Sequence, residues 1–133
     1  MPFLADTNVW IHHLKHPDGI IAQRLRSLKP ADVFLCSVVK AELWHGAKKY
    51  ERPDRRLVIL AKLFEPFESL PFDDESAHHY ADIRHHLEWE GVVLGPNDLK
   101  IAAIARAHEL TLISADDGFN RVQGLQVEDW TRV

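Results

Sequence analysis

Residues 2–14 read PFLADTNVWIHHL, and this stretch decides the fold class. A short apolar run at 3–5 has the pattern of a buried strand, and the apolar periodicity of a helix begins directly after Asp6. A simple turn would place Gly or Ser at the end of that strand, so the presence of an aspartate there requires an explanation. Asp6 can cap the following helix, or it can face the crevice beyond the carboxyl ends of parallel strands, where open α/β sheets bind their ligands.

The unit of a strand followed by helix recurs along the 133 residues. Strands are predicted at 3–5, 33–36, 67–70, 110–114 and, more weakly, 125–127. Helices are predicted at 7–14, 18–28, 38–50, 55–64, 74–90 and 97–108, with Pro and Gly at most of their borders. Alternation of this kind predicts an α/β fold. We expect one domain over residues 1–133, a three-layer α/β/α sandwich with a central parallel sheet.

Composition narrows the functional classes. No apolar run approaches the roughly 18 residues of a membrane span, and no basic segment precedes a signal-like core, so a cytoplasmic protein is expected. The single cysteine, Cys36, allows no internal disulfide and is interpreted as a buried thiol. The net charge of −4 is not typical of nucleic-acid-binding proteins, which are often basic. Basic residues are nevertheless concentrated between Lys40 and Arg56.

Three further carboxylates stand at positions comparable to that of Asp6. Glu42 continues the apolar stripe of the third predicted helix, and Asp98 opens the sixth. Asp116 follows the fourth strand, with Asp117 as its possible replacement. Convergent carboxylates repel one another unless a cation neutralises them, and an all-oxygen site suits Mg²⁺ or Mn²⁺. The set therefore predicts metal-dependent hydrolysis of a nucleic-acid backbone through an activated water.

Two aromatic and two histidine positions have alternative interpretations. His12 and His16 are four residues apart and could share a helix face and hold a metal, but surface histidines are the favoured interpretation. Trp10 and Trp44 are interpreted as core residues because Trp is mostly buried. The alternative for both is a hydrophobic groove near the acidic residues, which would receive a partner helix.

Five segments together resemble a known family in order and spacing. They read LADTNVWI, CSVVKAELWHGA, LPFD followed by YADIRHHLE, GPNDLKIAAIA, and TLISADDGF. The pattern resembles PIN-domain ribonucleases, and within them the VapC-type toxins of toxin–antitoxin pairs. The resemblance implies a parallel-sheet α/β/α sandwich, in agreement with the pattern of strands and helices.

The resemblance also implies roles for individual residues. Asp6, Glu42 and Asp98 match the acidic triad, and Asp116 matches a more variable fourth acid. All four are expected to act as metal ligands, Glu42 directly or through water. Thr7 and Asn8 match polar residues that orient the first acid or bound water through hydrogen bonds. Ser114 matches a small hydroxyl residue before the fourth acid, in a supporting position. His45 stands where relatives carry an aromatic and is assigned no catalytic role.

The resemblance further implies partners and a substrate. An endoribonuclease that uses Mg²⁺ or Mn²⁺ to cut tRNA or rRNA is expected, forming a homodimer and silenced by a cognate VapB-type antitoxin that places an Arg or Lys among the acids. Lys40, Lys48 and Lys49 are candidates for an RNA-binding rim. Competing hypotheses are a nuclease acting on DNA, a phosphoacceptor domain, a dehalogenase-type phosphohydrolase and a non-catalytic binding module. Asn8 argues against the phosphohydrolase, which would need an aspartate there.

Overall fold

A computed structural model describes residues 2–132 of the chain. Its strands are β1 (Phe3–Ala5), β2 (Val33–Cys36), β3 (Glu68–Leu70), β4 (Thr111–Ile113) and β5 (Val127–Glu128). Its α-helices are α1 (Thr7–Lys15), α2 (Ile20–Arg26), α3 (Ser37–Ala47), α4 (Pro53–Phe64), α5 (Asp74–Trp89) and α6 (Pro96–Ala107). Short 3₁₀ helices lie at Pro30–Asp32 and Asp117–Arg121. The predicted α/β class is confirmed.

The strands form one parallel sheet in the order β3-β2-β1-β4-β5. The chain moves outward from β1 to β3 and then returns across the sheet to β4 and β5. Because crossovers between parallel strands are right-handed, this reversal places α1 to α4 on one face and α5 with α6 on the other. The result is the predicted three-layer sandwich. Its strand order changes direction between β1 and β4, which is where open α/β sheets form ligand crevices.

Most predicted elements are confirmed, with differences at their ends. The helix predicted at 18–28 begins only at Ile20, because Asp18 and Gly19 form a turn in which the Gly19 N–H donates to the carbonyl of His16 (2.9 Å). The helix predicted at 38–50 ends at Ala47, and the backbone continues in short turns. The weakly predicted fifth strand is confirmed but shifted to Val127–Glu128, where it pairs with β4.

Gly91 follows the C-cap of α5, in agreement with the helix predicted at 74–90. Its φ of +73° lies in the left-handed region that glycine adopts without steric penalty. The N–H of Val92 donates to the carbonyl of Leu87 (2.9 Å), and the N–H of Gly91 donates to that of Glu88 (3.1 Å). These two bonds form a Schellman motif. They close the helix and direct the chain toward α6.

The core lies on both faces of the sheet. Side chains of the three central strands, such as Leu4, Leu35 and Leu112, are fully buried. Helix α6 packs between the sheet and α5, and its alanines allow close approach; Ala102 and Ala103 are fully buried. This helix carries Asp98 in its first turn, so the tightest part of the core positions one of the predicted site residues.

The structure bears on two expectations from composition, the lack of a membrane span and the burial of Cys36. Within residues 2–132, no helix is long and apolar enough to cross a membrane. Cys36 is fully buried, and burial raises the pKa of its thiol to about 11. The interpretation of this residue as a buried structural thiol is therefore confirmed.

Candidate active site

Three of the predicted acids line one open cleft at the carboxyl edge of the sheet. Asp6 follows β1, Glu42 lies in the second turn of α3, and Asp98 lies in the first turn of α6. The cleft has a volume of about 510 Å³. The residues that line it are Asp6, Thr7, Asn8, Ile11, Ala41, Glu42, His45, Gly46, Lys49, Asn97 and Asp98. Residues separated by up to 92 positions in the chain thus face a common space.

Asp6 is held by hydrogen bonds to both carboxylate oxygens. Oδ1 accepts the N–H of Val9 (3.0 Å), which makes Asp6 the N-cap of α1. Oδ2 accepts the hydroxyl of Ser114 (2.5 Å), which lies just beyond β4. The two interpretations of Asp6 from the sequence are therefore compatible, because capping uses one oxygen while the side chain also borders the cleft.

The electrostatic environment disfavours the charged form of two acids. Only 5% of Asp6 is exposed, and burial raises the pKa of its carboxyl against the lowering effect of the Ser114 and Val9 hydrogen bonds. Burial also raises the pKa of Asp98, and the negative charges of Glu42, Asp116 and Asp6 raise it further. A bound cation would therefore stabilise the ionised form of both carboxyls.

Glu42 is oriented from the first turn of α1. The hydroxyl of Thr7 donates to Glu42 Oε1 at 2.5 Å, across a gap of 35 positions in the sequence. A charge-assisted bond of this length holds the carboxylate in one position and leaves its second oxygen for another partner. The hydroxyl of Thr7 therefore contacts Glu42 rather than the expected Asp6, and Asn8 is exposed at the cleft.

Asp116 lies beside the cleft. It is exposed, and its Oδ1 accepts the N–H of Gly118 (2.8 Å) at the start of the second 3₁₀ helix. Together with Ser114 it lines a smaller neighbouring space of about 120 Å³. Its charge still acts on Asp6 and Asp98. The N–H of Asp116 also donates to the Ser114 hydroxyl (3.0 Å), so one serine links the two acids.

The three predicted basic residues occupy different environments. Lys49 lines the cleft. Lys40 places its ammonium group 5.2 Å from the ring centre of Phe64. Lys48 is exposed at the C-cap of α3. Lys49 is therefore the one of the three whose position is closest to the acids, and RNA binding by all three stays a prediction.

Sequence reasoning assigned no role to two polar residues that line the cleft. His45 follows Glu42 by three positions and so shares its helix face, which is a usable signal. Asn97 directly precedes Asp98. Both side chains add hydrogen-bonding groups to a cleft in which the sequence emphasises carboxylates.

The donor set fits a hard divalent cation, although the side chains are not drawn together into a finished site. Within residues 2–132, no three His, Cys, Asp or Glu side chains are close enough to enclose a metal as they stand. Burial is the main cause of the raised pKa values of Asp6 and Asp98, and the negative charges of the neighbouring carboxylates raise both pKa values further. Oxygen donors that leave room for water are what Mg²⁺ and Mn²⁺ bind.

The two tryptophans separate into different roles. Trp10 is fully buried and packs against Phe67, with ring centres 5.3 Å apart. Its interpretation as a core residue is confirmed. The same interpretation is wrong for Trp44, which is 44% exposed and touches Phe64 edge-on, because α3 turns this position away from the sheet.

Comparison with known proteins agrees with this arrangement. The PIN-domain family model matches residues 3–125. The chain is 32% identical to the tRNA(fMet)-specific endonuclease VapC of Shigella flexneri, over 98% of this chain and 99% of that protein. It is 30% identical to ribonuclease VapC2 of Haemophilus influenzae, over 98% of both.

Solved structures show the same fold. The DNA-bound VapBC complex of Salmonella typhimurium contains a chain with a TM-score of 0.92 and 30% identity, covering 98% of each chain. The VapBC2 complex of Rickettsia felis, bound to a promoter DNA fragment, gives a TM-score of 0.91 and 29% identity over 98% of this chain and 99% of that one. The chain therefore belongs to the PIN-domain family, and within that family to the VapC ribonucleases.

Proposed function

We propose that this protein is a metal-dependent endoribonuclease, the toxin of a toxin–antitoxin pair, that hydrolyses phosphodiester bonds of tRNA or rRNA. The observation that carries the proposal is the cleft in which Asp6, Glu42 and Asp98 meet at the carboxyl edge of the sheet. The cleft is open and is lined by oxygen donors. The proteins that the chain resembles in sequence include named ribonucleases.

The residues of the cleft have different roles in the proposed reaction. Asp6, Glu42 and Asp98, with Asp116 beside them, would hold a Mg²⁺ or Mn²⁺ ion, which when bound supplies an activated water and neutralises charge on the phosphodiester. Ser114 and Thr7 keep two of these carboxylates in fixed positions. No side chain is required as a covalent nucleophile.

Substrate contacts fall to the residues that surround the acids. Lys49 is the basic residue within the cleft and would bind a phosphate that flanks the cleavage site. Asn8 and Asn97 provide amide groups for RNA hydroxyls or bases.

The antitoxin is proposed to bind a groove that continues from the cleft. This groove of about 380 Å³ is apolar along Ile11, Leu14, Leu43 and Leu60 and shares Glu42 and Lys49 with the cleft. An amphipathic segment of a VapB-type partner could bury its apolar face here. A basic side chain of that segment would then reach the acids and take the place of the metal.

A homodimer is also proposed. Trp89 and Val93, at and after the end of α5, are 84% and 95% exposed, and large exposed apolar side chains often mark interfaces. Light scattering of the wild type and of Trp89→Glu measures the oligomeric state of each protein. A monomeric wild type would contradict the proposal.

Cleavage of total RNA by the purified protein tests the enzymatic function. Discrete fragments are expected with Mg²⁺ or Mn²⁺ and none with EDTA, and Asp98→Asn should reduce the rate by about 100-fold or more. Asp74→Asn is the matched control, because it also removes an aspartate from the first turn of a helix, and Asp74 is exposed and does not line the cleft.

The outcomes are distinct. Wild-type rates in Asp98→Asn would mean that the site is assigned wrongly or that a contaminant cuts the RNA. Cleavage of DNA but not RNA would favour the DNA-acting hypothesis. Failure to cut either nucleic acid, with metal still bound, would favour a non-catalytic module.

A further inference from the structure

Two histidines at the end of α1 lie side by side on the surface, outside the acidic cleft. His16 is the C-cap of the helix, and its N–H donates to the carbonyl of His12 (2.9 Å), so the two residues lie one turn apart although the backbone of His16 is no longer helical. Their imidazole ring centres are 4.7 Å apart, with 43° between the ring planes. His12 is partly exposed and His16 is exposed, so both rings are open to solvent.

We propose that His12 and His16 form a binding site for a borderline transition-metal ion, Cu²⁺ or Ni²⁺, that is separate from the acidic cleft. An ion bound at about 2.1 Å by one nitrogen of each ring lies roughly 3.2 Å from both ring centres. Ring centres 4.7 Å apart then subtend about 95° at the ion. This is close to the right angle between neighbouring ligands in the tetragonal geometry that Cu²⁺ and Ni²⁺ adopt.

The small number of protein ligands also selects the metal. Within residues 2–132, no third His, Cys, Asp or Glu side chain completes the pair, so water occupies the remaining positions. Structural zinc sites are closed by four protein ligands, which this pair does not provide. Imidazole nitrogens favour Cu²⁺ and Ni²⁺, whereas the carboxylates of the cleft favour Mg²⁺ and Mn²⁺. The two sites therefore differ in the ions that they take.

The neighbouring residues fix the pair in place. Gly19 donates its N–H to the carbonyl of His16 (2.9 Å), and a side chain at Gly19 would meet the Cβ of His16 at 3.1 Å. The turn after α1 is therefore packed against the second histidine. His13 does not belong to the pair, because it packs edge-on against Trp10 and its Nδ1 is buried. Arg26 lies near His13 and is the positive charge from α2 on this side of the helix.

Cu²⁺ titration followed by electron paramagnetic resonance tests the site. One equivalent should give a spectrum with coupling to two imidazole nitrogens, and either His12→Gln or His16→Gln should lower the affinity by about tenfold or more. The matched controls are His45→Gln, which removes the imidazole of the cleft, and His108→Gln, which removes an exposed histidine at the C-cap of α6. Both should keep the wild-type spectrum.

A second readout uses Ni²⁺ and the melting temperature. Because the ion binds the folded helix, it should raise the Tm of the wild type and of both controls, but not of the His12 and His16 variants. Loss of nitrogen coupling in His45→Gln, unchanged affinity in His16→Gln, or no binding by the wild type would each overturn the proposal. These measurements use no RNA, so they stand whatever the outcome for cleavage.

Discussion

Replacing Ser114 with alanine tests how the site is held together. The Ser114 hydroxyl donates to Asp6 Oδ2 at 2.5 Å and accepts the N–H of Asp116 at 3.0 Å, and 3% of the residue is exposed. The variant therefore loses one charge-assisted hydrogen bond in a buried place. It also leaves a backbone N–H without this acceptor.

The size of the effect follows from these two losses. A hydrogen bond to a charged group contributes about 1.5–3 kcal/mol, and an unsatisfied donor adds roughly 1 kcal/mol where water cannot reach it. We expect the free energy of unfolding at pH 7 to fall by about 2.5–4 kcal/mol. Thr111→Val is the matched control on β4, because that buried hydroxyl has only a 3.5 Å contact with Gln126 and should change stability by less than about 1 kcal/mol.

The pH dependence distinguishes a role at Asp6 from a general packing defect. The Ser114 hydrogen bond lowers the pKa of Asp6, so it stabilises the ionised carboxylate. Its loss raises the pKa of the folded state further. The destabilisation is therefore largest above that pKa and shrinks as the pH falls and Asp6 becomes protonated.

Urea unfolding of the metal-free protein between pH 4 and pH 8 provides the measurement. A loss of stability that stays the same across this range, or that matches the loss in Thr111→Val, would refute the assigned role of Ser114. Metal affinity measured by calorimetry should fall in Ser114→Ala and remain unchanged in Thr111→Val.

Three further predictions follow from the same geometry. In metal-free protein at pH 7, Asp98→Asn should unfold at higher urea concentration than Asp74→Asn, because burial and neighbouring charges raise the pKa of Asp98. The difference between the two midpoints should vanish below about pH 4, and equal midpoints at pH 7 would contradict the prediction. Thr7→Val, which frees Glu42, should slow RNA cleavage by about tenfold and lower the Tm less than Ser114→Ala does, because Thr7 and Glu42 are only partly buried. A wild-type rate would exclude the orienting role. Cys36 should react with an aromatic disulfide reagent only after unfolding in guanidinium, since burial raises its pKa to about 11; immediate reaction in the native protein would refute this.

Local patterns were sufficient for the architecture. The apolar run at 3–5, the alternation of strands with helices, and Gly91 at the end of α5 each report on backbone preferences within a few residues. The position of Asp6 at the end of β1 already places it at the carboxyl edge of a parallel sheet. For this reason the sequence alone determined the fold class and the acids worth examining.

Tertiary packing decided which groups those acids meet. Ser114 bonds Asp6 across 108 positions, and nothing near either residue in the sequence reports that contact. Likewise Trp10 is buried and Trp44 exposed, although both follow an acid closely in similar helical patterns. The hydrogen-bond partners and the burial of a side chain depend on how separate elements pack against one another. They are therefore determined by residues along the whole chain and not by the local sequence.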